Sequence, residues 1–187
     1  MREDAQVRAA SGNALSVQVA AVSGGTVMQL RSWVPRHARS GPVVVGGQQM
    51  PSHVGEILSG APRVLCMGPQ EWLLVSQEHD ATGLRAHIEP DLATQCLVLA
   101  DLTDGFAVFE VSGPAARQVL SKGCGLDLHS RTLNAGQCGR TRFAQISVIV
   151  ECLDAHPRFQ LYVGRSYARY LYAWLTDAAT EFSGASA

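Results

Sequence analysis

Lysine is almost missing from this 187-residue chain: among its 15 basic residues only Lys122 is a lysine, and the others are arginines. Net charge is almost missing as well, at −1. Nucleic-acid binding draws on clustered positive charge, so this balance argues against a nucleic acid as the main partner. The arginine bias has two readings, a genome rich in G and C or a surface adapted to subunit contact, where arginine is enriched. Long apolar runs are absent. No stretch approaches the roughly 20 residues of a membrane span, and the opening M-R-E-D-A-Q-V-R-A-A-S-G-N lacks the apolar centre of a signal peptide. The five cysteines (Cys66, Cys96, Cys124, Cys138 and Cys152) are odd in number and form no C-x-x-C. That suits free thiols in a reducing cytoplasm better than a disulfide framework.

Complete catalytic patterns are absent too. Gly164-Arg165-Ser166-Tyr167-Ala168 approaches the G-x-S-x-G elbow of α/β-hydrolases, but no histidine follows Ser166 to complete that chain order. Ser166 is therefore expected to cap the final helix. The six histidines (His37, His53, His79, His87, His129 and His156) form no H-x-x-x-H pair. Cys152 and His156 are four apart, but a strand ends between them, so no metal site is expected. Gly123-Cys124-Gly125 begins like a dinucleotide loop, yet position 128 is leucine and the run follows a helix. Asp101 and Asp104 flank a turn signal at Asp104-Gly105 and are expected to shape that turn.

What remains is a hydrophobic share of 47% against 17% charged, the balance of a folded, soluble protein. Its clearest stretch is F-A-V-F-E-V-S-G-P-A-A-R-Q-V-L, Phe106 to Leu120. Alternation predicts a strand to Val111. A helix over Pro114–Lys122 follows, with Ser112 or Gly113 as N-cap, Pro114 in the first turn, Lys122 at the C-terminal dipole and Gly123 as a left-handed exit. A second such unit is the strand Phe159–Val163, then G-R-S, then a helix whose stripe is Tyr167, Tyr170, Leu171, Trp174, Leu175, Ala178 and Phe182.

Elsewhere, Ala14–Val22 and Thr26–Trp33 read as strands of a hairpin turning at Ser23-Gly24-Gly25. The run V-P-R-H-A-R-S-G gives Pro35 a short helical turn like that of Pro114. Gly41–Ala61 should be mostly loop. Arg63–Met67 and Glu71–Val75 pair around Gly68-Pro69, and a helix over Thr82–Glu89 is stopped by Pro90. Leu97–Leu102 opens the second half, where Gly139–Phe143 and Ser147–Leu153 are further strands. The two halves, about 14–95 and 96–182, share an order of strand, proline-led turn, loop, two strands and helix. This predicts an α+β fold, an antiparallel sheet with packed helices in two pseudo-repeated halves. Residues 1–13 and 183–187 are expected to be a flexible tail and a disordered end around one domain, 14–182.

Three blocks carry a resemblance: M-G-P-Q-E-W-L-L (Met67 to Leu74), D-L-T-D-G-F-A-V-F-E-V-S-G-P-A-A-R-Q-V-L-S-K-G-C-G-L-D-L-H (Asp101 to His129) and V-G-R-S-Y-A-R-Y-L-Y-A-W-L (Val163 to Leu175). In this order they resemble the gamma subunit family of heterotetrameric sarcosine oxidase, which is similar in turn to the folate-binding domain of the glycine-cleavage T-protein. The resemblance implies a cytoplasmic, non-catalytic subunit with a structural role. The whole complex would demethylate sarcosine to glycine, forming hydrogen peroxide and methylene-tetrahydrofolate. Its partners would be alpha, beta and delta subunits, and FAD, FMN, NAD and zinc would sit on them, with no cofactor in this chain. The alternative is a free-standing folate-binding or aminomethyl-transfer protein. The T-protein family's folate-linked aspartate would fall near Ile146-Ser147, where there is no carboxylate; Glu151 lies further along, at the strand's far end. The implied fold is kept and the implied folate site lost. Arg165, Tyr167, Arg169 and Trp72 are the expected partner contacts, since arginine and aromatic residues favour interfaces. Tyr167 and Trp72 are equally open to a core reading, as is Trp33, whereas Trp174 is expected in the core.

Overall fold

The structure, a computed structural model, describes residues 16–34 and 41–182. In chain order its elements are β1 (Gln18–Val22), β2 (Thr26–Ser32), β3 (Val44–Val45), β4 (Gln48–Gln49), β5 (Ile57–Leu58), β6 (Arg63–Gly68), β7 (Glu71–Ser76) and α1 (Ala81–Thr94). Then come β8 (Leu97–Asp101), β9 (Phe106–Ser112), α2 (Ala116–Ser121), β10 (Gln137–Phe143), β11 (Ile146–Asp154), β12 (Arg158–Gly164) and α3 (Ala168–Ala179). The expected start of a strand at Ala14, the Pro35 turn, His37 and both chain ends lie outside the described residues.

Two compact units share these elements, one holding residues up to Ser23 and from Phe106 onward, the other Gly24–Gly105. In the first, five antiparallel strands run in the order β1-β9-β12-β11-β10. Alternate side chains of those strands, among them Phe109, Val111, Val148, Val150, Phe159 and Leu161, form one core with Val119 and Leu120 of α2 and Leu171 and Leu175 of α3. Burying each such side chain contributes about 1.5–3 kcal/mol.

The second unit has the sheet β5-β6-β7-β2-β8, also antiparallel throughout. Met28, Leu30, Val64, Cys66, Trp72, Leu74, Leu97 and Leu99 pack with Leu84 and Ile88 of α1. Beside them β3 and β4 form a small hairpin whose turn, Gly46-Gly47, has both residues at positive φ (57° and 75°), the conformation a tight two-residue hairpin turn requires.

The sheet orders correspond strand for strand. Reading β1-β9-β12-β11-β10 against β8-β2-β7-β6-β5 matches every neighbour and every direction, so the α+β architecture of sheets with packed helices is a repeated one. The units nevertheless do not follow the stretches 14–95 and 96–182. The first strand of each stretch, β1 and β8, completes the sheet of the other.

The same exchange overturns the expected β1–β2 hairpin. Strand β2 already has β7 on one side and β8 on the other, which leaves no edge for β1. The helix expected to stop at Pro90 runs through it to Thr94. Pro90 forfeits one helical hydrogen bond, but the turn after it is tied down from outside: Asp91 accepts from the Gly46 N–H at 2.8 Å, and Gln95 accepts from the Val44 N–H at 3.1 Å. At the other end Asp80, the N-cap, accepts from Gly83 N–H at 2.8 Å, worth about 1 kcal/mol.

Helix α2 begins at Ala116, two residues later than expected, with Ala115 in the cap position and no side-chain cap. Neither Ser112 nor Gly113 serves as cap. Gly113 instead has φ +112°, and a Cβ there would come within 2.6 Å of the Ser16 carbonyl oxygen, so both the conformation and the space demand glycine. The left-handed exit expected at Gly123 is also corrected. That residue is not among those with positive φ; its role is to leave room for Trp174.

Candidate functional site

Gly164 ends β12, and residues Arg165–Tyr167 make a single 3-10 turn that leads straight into α3. Neither Gly164 nor Tyr167, the residues in the two cap positions, makes a side-chain cap hydrogen bond, so Ser166 lies within the turn and not at a cap. The turn projects its side chains outward. Arg165 and Arg169 are exposed, Tyr167 is 52% exposed and Tyr170 42%. The apolar stripe is therefore narrower than its spacing suggests: Leu171, Leu175 and Ala178 face the core, while the two tyrosines stand with the two arginines on the surface. Tyr170 was missed as a surface residue because it keeps the stripe's period.

The tryptophans divide. Trp72 is only 3% exposed and its indole N–H donates to the Pro51 carbonyl at 2.8 Å. This corrects its expected part as an open partner contact: the ring is core, held by a turn-distant backbone oxygen. Trp174 is half-buried edge-on against Phe143, with ring centres 4.7 Å apart. Trp33 is 77% exposed at the end of β2.

Among the described residues, the Asp101 carboxylate, the Cys152 thiol and the His156 ring lie in separate surroundings. Asp101 accepts from the Thr103 N–H at 2.9 Å, the turn-forming part expected of it. That bond, followed by the Thr103 hydroxyl, holds its carboxyl below the usual carboxylate range. Cys152 is buried in the first core with its sulfur 3.8 Å from an Arg117 nitrogen. Burial pushes its thiol up in spite of that cation. His156 is exposed in the β11–β12 turn. Among the described residues no three His, Cys, Asp or Glu side chains are grouped as a metal would need. On β11, Ile146 is buried and Ser147 exposed, whereas Glu151 is buried on the sheet face opposite the helices, where its carboxylate accepts the Tyr162 hydroxyl. A carboxylate so engaged is not presented to solvent.

A second feature lies in the Gly24–Gly105 unit. A cavity of about 240 Å³ is lined by Pro42, Val43, Met50, Pro51, Pro69 and Trp72, with Ser52 and Gln70 as polar neighbours.

The profile of the sarcosine oxidase, gamma subunit family matches residues 43–181. The chain belongs to that family. Two gamma-family relatives, each named sarcosine oxidase subunit gamma, illustrate the distance. That of Arthrobacter sp. is 32% identical over 139 residues, 73% of this chain and 67% of the relative. That of Corynebacterium sp. (strain U-96) is 32% identical over 142 residues, 74% of this chain and 67% of the relative. Among solved structures, a chain of the heterotetrameric sarcosine oxidase from Corynebacterium sp. U-96, in complex with pyrrole 2-carboxylate, superposes with a TM-score of 0.80. It is 28% identical, over 94% of this chain and 90% of that one. The glycine cleavage system aminomethyltransferase T of Bartonella henselae gives 0.62 at 14% identity, over 86% of this chain and 48% of that one. This second likeness shows that the gamma family and the T-protein share a fold. All three resembling blocks, including Gly164 to Leu175 around the exposed turn, fall within the matched range.

Proposed function

We propose that this chain is the non-catalytic gamma subunit of a heterotetrameric sarcosine oxidase, with alpha, beta and delta subunits as its partners. The observation that carries the reading is the superposition at 0.80 over 94% of the chain with a chain of such an assembly. The assembled enzyme demethylates sarcosine to glycine oxidatively, with hydrogen peroxide and methylene-tetrahydrofolate as further products. FAD, FMN, NAD and zinc belong to the partner chains. The part of this chain is to hold the assembly, and it does so in the cytoplasm.

The surface proposed for partner contact is the β12–α3 turn: Arg165, Tyr167 and Arg169, joined by Tyr170. Arginine supplies a planar fork of donors and tyrosine a large ring with a hydroxyl, and both are enriched at subunit contacts. The test is co-expression of this chain, tagged, with the three partner subunits, followed by size-exclusion chromatography and mass spectrometry. Recovery in one large flavin-containing species is expected. Recovery as a lone 20.0 kDa protein overturns the reading.

A further inference from the structure

We infer that the free chain pairs with a second copy of itself through α3, the two helices lying antiparallel about a two-fold axis beside Ala173. One side of this helix, Leu171, Leu175, Ala178 and Ala179, is given to the core. On the other side Arg169, Tyr170, Ala173 and Asp177 are exposed, and steps of three and four keep them on one face.

The charges on that face carry the argument. Arg169 stands in the first turn of α3 and Asp177 in the last, and the helix has no acidic residue in its first turn and no basic one in its last. The helix dipole favours the reverse, an anion at the N-terminus and a cation at the C-terminus. Both residues therefore stand where the helix by itself disfavours them. Nor is either compensated by a neighbour: among the described residues no ion pair engages Arg169 or Asp177, whereas Glu181 is taken by Lys122.

A second copy supplies what each residue lacks. Arg169 and Asp177 lie four residues to either side of Ala173, about 6 Å along the helix axis. Two such helices laid antiparallel across Ala173 bring Arg169 of each copy level with Asp177 of the other, so the symmetry forms the pair twice. Tyr170, 42% exposed, comes close to the same level and adds ring area and a hydroxyl donor for the carboxylate. Ala173, the smallest side chain on the face, sits at the crossing, where a small residue lets two helix axes approach. The contact is isologous and closes at two copies. It also covers Arg169 and Tyr170, two of the residues proposed to meet a partner subunit, so pairing and assembly compete for one face; this last point rests on the assembly reading.

The test is sedimentation velocity on the full chain alone, at rising concentration and in low and high salt. Three forms are compared: wild type, Arg169→Glu, and the exchanged pair Arg169→Glu, Asp177→Arg. Wild type should approach twice 20.0 kDa as concentration rises, and high salt should oppose the pairing. Arg169→Glu should weaken it about tenfold or more, because two like-charge oppositions replace two attractions. The exchanged pair should associate as wild type does, and it should melt at or above the wild-type temperature because its charges agree with the dipole. A wild-type chain that stays single at every concentration overturns the proposal and leaves the assembly reading standing. Unchanged pairing of Arg169→Glu, or an exchanged pair that stays single, puts any dimer on another surface and overturns it as well. Failure of the co-expressed chain to join its partner subunits sinks the assembly reading and leaves the paired free chain standing.

Discussion

Gly123 packs against the Trp174 ring: a Cβ at position 123 would stand 2.8 Å from two ring carbons and 3.0 Å from Phe143. The end of α2 can approach α3 only because that hydrogen is all Gly123 offers. Phe143 and Trp174 are already edge to face, so an added methyl would press on both rings of one packed pair. Gly123→Ala should destabilise the protein by about 1–3 kcal/mol, the range of overpacking. Urea unfolding would show a lowered midpoint with an unchanged slope.

The single lysine binds the same two helices from outside. Lys122 Nζ donates to the Ala178 carbonyl at 3.0 Å, pairs with Glu181 and sits 5.0 Å over the Phe182 ring. It thus serves the C-terminal end of α3, where unpaired carbonyls favour a cation, and not only α2, which it follows. Lys122→Met should cost about 1 kcal/mol, most of it from the carbonyl bond, since the exposed ion pair adds little. Thermal melts at low and high salt would separate the two parts: the difference between variant and wild type should shrink only slightly at high salt.

Two exposed carboxylates impose an acid limit. Asp127 accepts from the His129 N–H at 2.9 Å and the Thr132 hydroxyl at 2.8 Å, and these bonds, the backbone one first, lower its pKa. Asp101 is lowered in the same way by Thr103. A pKa lower in the folded than in the unfolded state gives stability that is present above the unfolded value, about 4, and is lost as pH falls through the folded value. The melting temperature should accordingly drop below about pH 4. An Asp101→Asn, Asp127→Asn variant should start lower at pH 7 and fall less steeply. Parallel curves for the two proteins would contradict this.

Much of this fold is written in local pattern. The pairing of β6 with β7 and of β10 with β11 follows from alternation flanked by turn residues, and the core-facing half of α3 follows from its period. What alternation does not carry is partner choice. Val19 and Met28 both sit in well-formed strands, yet only long-range pairing decides that one joins β9 and the other β7 and β8. Pro90 misled for a similar reason, because the bonds from Asp91 and Gln95 that hold the last turn of α1 reach Gly46 and Val44. At the candidate site, Arg165, Tyr167 and Arg169 were legible as residue types suited to contact. Tyr170, 42% exposed beside them, was not, because it keeps the period of the apolar stripe.

The thiols should report burial in order. Cys96 is exposed, Cys124 half-buried, and Cys66, Cys138 and Cys152 buried. Burial raises the Cys124 and Cys152 thiols, which keeps them protonated and slow toward electrophiles at neutral pH. Iodoacetamide on the native protein should modify Cys96 first and Cys124 next. The other three should react only after denaturation, as peptide mapping by mass spectrometry would reveal. Early modification of Cys152 would mean that the Arg117 cation outweighs burial.

The exchange of β1 and β8 has a consequence for any attempt to divide the molecule. A fragment ending near Gln95 keeps β2 but lacks β8 to cover its edge, and the remainder keeps β9 but lacks β1. Each piece would display an open strand edge, a template for any chain that fits. The matching strand order makes the piece's own spare strand such a fit for another copy, so a lone half has a ready route to a reciprocal dimer by domain swapping. The intact chain performs that reciprocal exchange within itself, and covalent linkage replaces the second molecule.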